Sequence, residues 1–257
     1  MTRVSLILAV CAIAFMRFMK SNPVLFGRQQ NRKTPDTANL ITRDKPNKIL
    51  KDVLLRYGSV LGEDYDSYYN HCLRVLNFSK YFLDKDTAYL KGTEMTSSSR
   101  GRNIDIMAFA LAYHDIALWT DGELNYLEPS VAVMERDLQE NRSIRGLFRP
   151  PLTTEEKLIA REIIMQHHKI SSFSASKADL NLPMGVEGEQ MVNAVRRGDW
   201  VDASMGVVKH GISADILEAA YVEIPEAGFH NMLLAMGGRL SPDSIIGQLK
   251  VLKILKL

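Results

Sequence analysis

The sequence has only two cysteines, Cys11 and Cys72, among its 257 residues. Two cysteines cannot build a disulfide framework, and only Cys72 would remain if the N-terminus were cleaved. A small secreted domain held together by several disulfides is therefore excluded. Nothing in the cysteine content demands an oxidising compartment.

Acidic residues are missing from the first 33 positions, where six basic residues occur: Arg3, Arg17, Lys20, Arg28, Arg32 and Lys33. Of the 32 lysines and arginines in the chain, 26 lie beyond that segment, against 30 acidic residues, which gives this part a formal charge of −4. A mildly acidic body lacks the basic patch that nucleic-acid-binding proteins present. We therefore expect no nucleic-acid partner.

The uncharged run at residues 4 to 16 falls short of the ~20 apolar residues that a membrane-spanning helix needs. Its flanks, Arg3 and Arg17, are typical of a signal-peptide hydrophobic region or a short anchor, so membrane contact through this run is a prediction. The alternative is a leader that packs on the domain, or an extension from a wrongly chosen start. A functional leader would place the protein in the secretory pathway or at a membrane, and otherwise it would be cytoplasmic.

The rest of the chain lacks both strand-like alternation and internal repeats, and its apolar residues recur at helical spacing. We predict a leader or anchor at residues 1–20, a linker at 21–47 and an all-α domain at 48–257. The predicted helices include one after Asp64, a buried run from Ile104 to Ala117, one started by a Thr153–Glu156 capping box, and segments at Met191 to about Lys209 and Phe229 to Met236.

Several polar residues occupy the apolar faces of these helices. His71 lies among apolar neighbours at helical spacing, and His114 and Asp115 end the buried run. His167 shares a stripe with isoleucines, whereas His168 is expected about 100° away around the helix.

Asp199 and Asp202 form a further inward pair in the next helix. Any one of these residues could be a hydrogen-bonded core residue, and the two aspartates could pair with Arg196 or Arg197. Inward histidines and aspartates from four helices have one economical explanation, which is a divalent metal ion.

The order of His71, the His114–Asp115 pair and Asp199 resembles the H…HD…D signature of the HD-domain superfamily of metal-dependent phosphohydrolases. The stretch GDWVDAS at residues 198–204 is similar to the family's last motif. The resemblance covers roughly residues 48 to 210, with the motif core at 64–210. It is more specific for the fold than for the reaction.

The resemblance implies a helical bundle and a metal-dependent hydrolase that acts on a small phosphorylated substrate through a metal-activated water. The implied metal ligands are His71, His114, Asp115 and Asp199. Oxygen and nitrogen ligands suit Mn, Fe, Mg, Co, Ni or Zn without choosing among them. Candidates for binding an anionic substrate are Arg74, His168, Lys169 and Arg196.

The chain departs from the family pattern after Asp115, which is itself a candidate catalytic residue. Leu118 and Trp119 stand where several members have an acidic residue or a lysine, so Asp121 or Glu123 would have to manage the proton. Members with two ions have two further histidines on separate helices, whereas His167 and His168 are adjacent here and Glu128 stands where the other histidine is expected.

Two arrangements of the metal site are therefore open. We favour a mononuclear site, because adjacent residues on a helix do not face the same point. The alternative is a dinuclear site to which His167 and Glu128 contribute, as in HD-fold di-iron oxygenases. A hydratase or lyase, and a non-catalytic metal-stabilised domain, are the other functional alternatives.

Overall fold

The computed structural model describes residues 40–89, 97–178 and 184–240. These residues form helices joined by turns and loops, and none of them lies in a β-strand, so the predicted all-α fold is confirmed. No helix within these ranges combines the length and the apolar character needed to cross a membrane. The predicted leader and anchor (1–20) and most of the predicted linker lie outside the described residues.

The helices, in chain order, are α1 (Lys48–Arg56), α2 (Gly58–Leu61), α3 (Tyr65–Tyr89), α4 (Ser97–Tyr113), α5 (Ala117–Thr120), α6 (Leu127–Glu140), α7 (Arg142–Arg145), α8 (Thr154–Gln166), α9 (Val186–Ala203), α10 (Ala214–Glu223) and α11 (Phe229–Leu240). Single 3-10 turns occur at Gly62–Asp64 and Ala175–Lys177.

Helix α1 begins where the sequence predicts the domain to begin. The side chain of Asn47 caps it by accepting a hydrogen bond from the Leu50 backbone N–H. The preceding residues also contact the bundle, because the Ile41 N–H donates to Asn77 Oδ1 on α3 at 2.9 Å. The end of the predicted linker is therefore attached to the domain.

Helices α3 and α9 form the most extensive helix pair of the bundle. Gly198 allows their close approach, since a Cβ at this position would lie 2.7 Å from Ser79 Oγ and 2.9 Å from the Val75 carbonyl oxygen. This approach brings Asp199 on α9 towards His71 on α3. Helix α4 packs against α1, α3 and α8, and its residues Ile106 to Tyr113 are all buried.

Two predicted helix ends are wrong. The buried run does not continue as one helix to Ala117, because α4 ends at Tyr113 and His114 and Asp115 lie in the turn that follows. Helix α9 stops at Ala203 instead of about Lys209, since Met205 (φ 50°) and Gly206 (φ 75°) adopt left-handed conformations that end it.

The capping box that starts α8 is confirmed in both directions. Thr153 Oγ1 accepts from the Glu156 N–H, and the Glu156 carboxylate accepts from the Thr153 N–H. Helix α10, whose Ser213 caps the Ile216 N–H, was not among the predicted helices.

Candidate metal centre

Three of the predicted ligands form a compact buried group. His71 Nε2 lies 3.1 Å from His114 Nε2, which in turn lies 3.1 Å from Asp115 Oδ2. One ligand atom from each of the three residues lies within 4.8 Å of the other two. Helix α3 and the turn after α4 thus bring together residues that are about 43 positions apart in the chain.

Asp199 faces the same point from α9. Its Oδ1 atom lies 3.5 Å from His71 Nε2 and 4.0 Å from His114 Nε2. The four predicted ligands therefore converge, with Asp199 farther from the centre of the group than the other three.

The hydrogen bonds of the two imidazole rings determine which nitrogen faces the centre with a lone pair. His71 Nδ1 lies 2.7 Å from Asp202 Oδ2, and His114 Nδ1 lies 2.7 Å from the Leu111 carbonyl oxygen. Because both partners can only accept, each Nδ1 carries the proton. In the neutral rings the two Nε2 lone pairs then face each other beside two carboxylates. Such an arrangement of acceptors calls for a cation.

The pKa shifts of His114 and Asp115 also indicate that a positive charge is needed between these two side chains. Burial alone lowers the pKa of His114, but the charge of Asp115 outweighs it and raises this pKa well above its usual range. Burial raises the pKa of Asp115, and His114 and His167 lower it by more, so that its net shift is well downward. In the absence of an ion, a proton therefore provides the positive charge between the two side chains.

The other carboxylate oxygen of Asp115 is buried and accepts no hydrogen bond. His167 Nε2 lies 3.3 Å from this Oδ1 atom, and His167 Nδ1 lies 2.7 Å from the Ile164 carbonyl oxygen. The second face of Asp115 is therefore also opposed by an imidazole lone pair when His167 is neutral. Asp115 therefore has an imidazole on each side, and each ring can donate to it only when its Nε2 is protonated.

His168 lies beside His167, contrary to the expectation that the two face apart. Helix α8 ends at Gln166, so the 100° spacing of a helix does not apply, and His168 Nδ1 comes within 3.2 Å of His167 Nε2. The Tyr126 hydroxyl lies 3.4 Å from His167 Nε2 and 3.3 Å from His168 Nδ1. Glu128, the other predicted ligand, is exposed in the first turn of α6.

Two of the predicted substrate-binding cations have partners inside the protein. The Arg74 side chain is fully buried and forms two hydrogen bonds with the Asp202 carboxylate, at 2.6 and 2.9 Å. Arg196 is buried and donates to the backbone carbonyls of Lys169 and Ile170. These contacts give no support to a substrate-binding role for either arginine. Lys169 follows His168 and is half-buried.

The predicted proton-transfer residues Asp121 and Glu123 are exposed in the segment between α5 and α6. Leu118, three residues after Asp115, is buried. The indole N–H of Trp119 donates to Asp64 Oδ2 at 3.0 Å. The acid/base role of Asp121 and Glu123 stays a prediction.

Three residues at the site lie outside the ligand set predicted from the sequence. Asp202 was identified as inward-facing, but its partners are Arg74 and His71 and not Arg196 or Arg197. Tyr126 is not among the residues predicted for the site, although its hydroxyl contacts both His167 and His168. Phe229 stacks on the His71 ring with 3.9 Å between ring centroids and 11° between planes. Asp202 lies three residues after Asp199 on the same face of the helix, and this spacing is the feature of the sequence that indicates its place at the site.

No protein-family model, curated protein or solved structure matches the chain.

Proposed function

We propose that the chain is a metal-dependent hydrolase of the HD type, with His71, His114, Asp115 and Asp199 as ligands of a divalent ion. The observation that carries the proposal is the buried meeting of imidazole nitrogens and carboxylate oxygens that need a cation or an added proton between them, centred on the 3.1 Å approach of His71 Nε2 and His114 Nε2. The order of these residues along the chain resembles the HD signature, and this resemblance supports hydrolysis as the reaction.

A bound Mn, Fe, Mg, Co, Ni or Zn ion would supply an activated water and polarise a phosphoryl oxygen. The protein's own part is to hold the ligand atoms in place and to exclude bulk water, since the His71, His114 and Asp115 side chains are buried. Because Arg74 and Arg196 bond internal acceptors, recognition of a small phosphorylated substrate would depend mainly on the ion. Asp121 and Glu123 are the candidates for exchanging a proton with solvent.

The test is hydrolysis of a broad phosphoester panel by protein loaded separately with Mn²⁺, Co²⁺, Zn²⁺ and Mg²⁺. Asp115→Ala should abolish any turnover, whereas Asp137→Asn, which changes another buried carboxylate, should retain it after correction for the folded fraction. A protein that binds metal through Asp115 and hydrolyses no member of the panel would contradict the hydrolase proposal.

A di-iron oxygenase is the second candidate, and the unbonded Asp115 Oδ1 atom favours it. Asp115, His167 and His168 would together hold the second ion, since Asp115 Oδ1 lies 3.3 Å from His167 Nε2 and His168 Nδ1 lies 3.2 Å from the same nitrogen. Metal stoichiometry and oxygen uptake after anaerobic loading with Fe²⁺ separate the two candidates. On this alternative, His168→Gln should reduce two equivalents of iron to one, and Glu128→Gln should leave both in place.

A further inference from the structure

We propose that Asp202, held in place by Arg74, is a positioning residue that sets the orientation and tautomer of the His71 ring for metal binding. The inference rests on the proposed metal site and names no additional ligand. It concerns a pair of buried charges behind the site that the proposed reaction does not itself use.

The contact between Asp202 and His71 is short and fully enclosed. Asp202 Oδ2 lies 2.7 Å from His71 Nδ1, and the Asp202 and Arg74 side chains are both 0% exposed. A carboxylate can only accept, so this contact places the ring proton on Nδ1 and leaves the lone pair of Nε2 facing the metal group. Outer carboxylates that orient a metal-binding histidine in this way also raise its basicity.

Arg74 fixes the carboxylate in turn. Its Nε and Nη2 atoms donate to the two carboxylate oxygens of Asp202, while its Nη1 atom donates to the backbone carbonyls of Ile224 and Pro225. The planar guanidinium thereby ties α3 and α9 to the segment that follows α10. Because every one of these groups is paired, Asp202 cannot turn away from His71 without leaving a buried charge unpaired.

The ring of His71 is also held from its flat side. Phe229 stacks on it nearly parallel at 3.9 Å, so the ring can neither tilt nor shift towards α11. The edge contact with Asp202 and the face contact with Phe229 together determine where Nε2 points.

Asp202→Asn changes the charge at nearly constant size. With the carbonyl oxygen of the new amide at the Oδ1 position, where it keeps the bond from Arg74 Nε, the NH₂ group stands at the Oδ2 position and faces both His71 Nδ1 and Arg74 Nη2. His71 would then carry its proton on Nε2, directed at the metal group. We expect a 10- to 100-fold loss of Co²⁺ affinity and an altered visible spectrum of any bound Co²⁺, in line with the effect of losing an outer-shell partner.

Two further variants separate positioning from general stability. Arg74→Lys keeps a positive charge and one donor for Asp202, so Co²⁺ affinity should fall less than in Asp202→Asn. Asp137→Asn makes the same chemical change at a buried carboxylate that bonds Tyr57 and Tyr113, and it should leave Co²⁺ affinity unchanged even though the fold is less stable.

The measurements are Co²⁺ titration of the full chain and ¹⁵N NMR of the imidazole nitrogens in metal-free protein at pH 8. The proposal predicts an Nδ1–H tautomer for His71 in the wild type, its replacement by Nε2–H in Asp202→Asn, and the affinity loss above. Equal Co²⁺ affinity and an unchanged tautomer in Asp202→Asn would overturn it. A wild type that binds no Co²⁺ would overturn the proposed metal site, and the tautomer would still decide the role of Asp202.

Discussion

Two buried carboxylates near the end of α4, those of Asp137 and Asp115, have very different surroundings. The Tyr113 hydroxyl donates to Asp137 Oδ2 at 2.8 Å, the Tyr57 hydroxyl donates to the same atom at 2.8 Å, and Arg56 approaches Oδ1 at 3.4 Å. Burial and the Asp137 charge together raise the pKa of both tyrosines, which therefore remain donors. Asp137 is fully paired by the protein itself.

Asp115, two positions after Tyr113, has an imidazole nitrogen beside each of its carboxylate oxygens. His114 Nε2 lies 3.1 Å from one carboxylate oxygen and His167 Nε2 lies 3.3 Å from the other, and both rings have their Nδ1 protons on backbone carbonyls. Burial of a carboxylate is thus no sign of a metal site by itself. The distinguishing feature is whether its neighbours can donate.

Metal addition should give the largest difference in the free energy of unfolding between variants of the two regions. At a free ion concentration a thousandfold above Kd, a bound ion raises the free energy of unfolding by about 4 kcal/mol. Chemical denaturation with and without Mn²⁺ should show this gain in the wild type and in Asp137→Asn. The absence of any gain in Asp115→Ala is the matched control, and a full gain there would contradict the assignment.

Asp137→Ala tests the fully paired region. Its removal leaves the buried hydroxyls of Tyr57 and Tyr113 without their acceptor, so the free energy of unfolding should fall by about 3 kcal/mol. Urea denaturation of metal-free protein measures this change. Asp115→Ala removes an acceptor whose donors are protonated imidazoles, so its cost under the same conditions should shrink as the pH rises through the raised pKa of His114. A pH-independent cost for Asp115→Ala would contradict this difference between the two carboxylates.

Gly198→Ala tests whether the metal group depends on the close approach of α3 and α9. An alanine is normally favourable within a helix by up to about 1 kcal/mol relative to glycine. Here its Cβ would collide with the Val75 carbonyl and Ser79, so we expect a net loss of about 2 kcal/mol. Differential scanning calorimetry checks the sign. An increase in Tm would show that the helices can move apart freely.

His230→Gln should have the smallest effect, and it should depend on pH. His230 Nδ1 lies 2.9 Å from Glu226 Oε1, and Nε2 lies 2.8 Å from the Asp202 carbonyl oxygen, so the ring is held as an imidazolium. Burial lowers the pKa of His230, but Glu226 and Asp202 raise it by more, for a net rise. Burial raises the pKa of Glu226, whereas bonds from His230 and the backbone bring it down to about 2.

These shifts define the pH window of the His230 effect. The stability from His230 is fully present below its ordinary pKa of 6.5 and is lost as the pH rises through the higher folded value. The stability from Glu226 is fully present above 4.5 and is lost as the pH falls towards 2. The wild type should therefore exceed His230→Gln by about 1 kcal/mol between pH 4.5 and 6.5 and by less at pH 9. A constant difference across this range would contradict the charged state of His230.

The all-helical class and the principal helices could be predicted from the sequence because their apolar residues recur at helical spacing. The Thr153 capping box could be predicted because it depends only on residues three apart. The end of α4 could not, since the run stays apolar past Tyr113 and the break comes from the His114 side chain bonding the Leu111 carbonyl. Left-handed conformations such as that of Met205 have no clear signal in a single sequence.

The convergence of His71, His114, Asp115 and Asp199 could be anticipated because each lies on an apolar face. The hydrogen-bond partners of the site residues could not be predicted, because they depend on how the helices pack against one another. Arg74 is such a case, as its position three residues after His71 gives no indication that it bonds Asp202 on α9. The same reason explains why His168 rather than Glu128 stands beside His167.

Equilibrium dialysis against Mn²⁺ directly tests whether the buried group that contains Asp115 binds a metal ion. The proteins compared are wild type, Asp115→Ala and Asp137→Asn, all purified without affinity histidines. We expect at least one equivalent of ion in the wild type and in Asp137→Asn, and none in Asp115→Ala. Equal metal content in the wild type and Asp115→Ala, or no metal in the wild type, would contradict it.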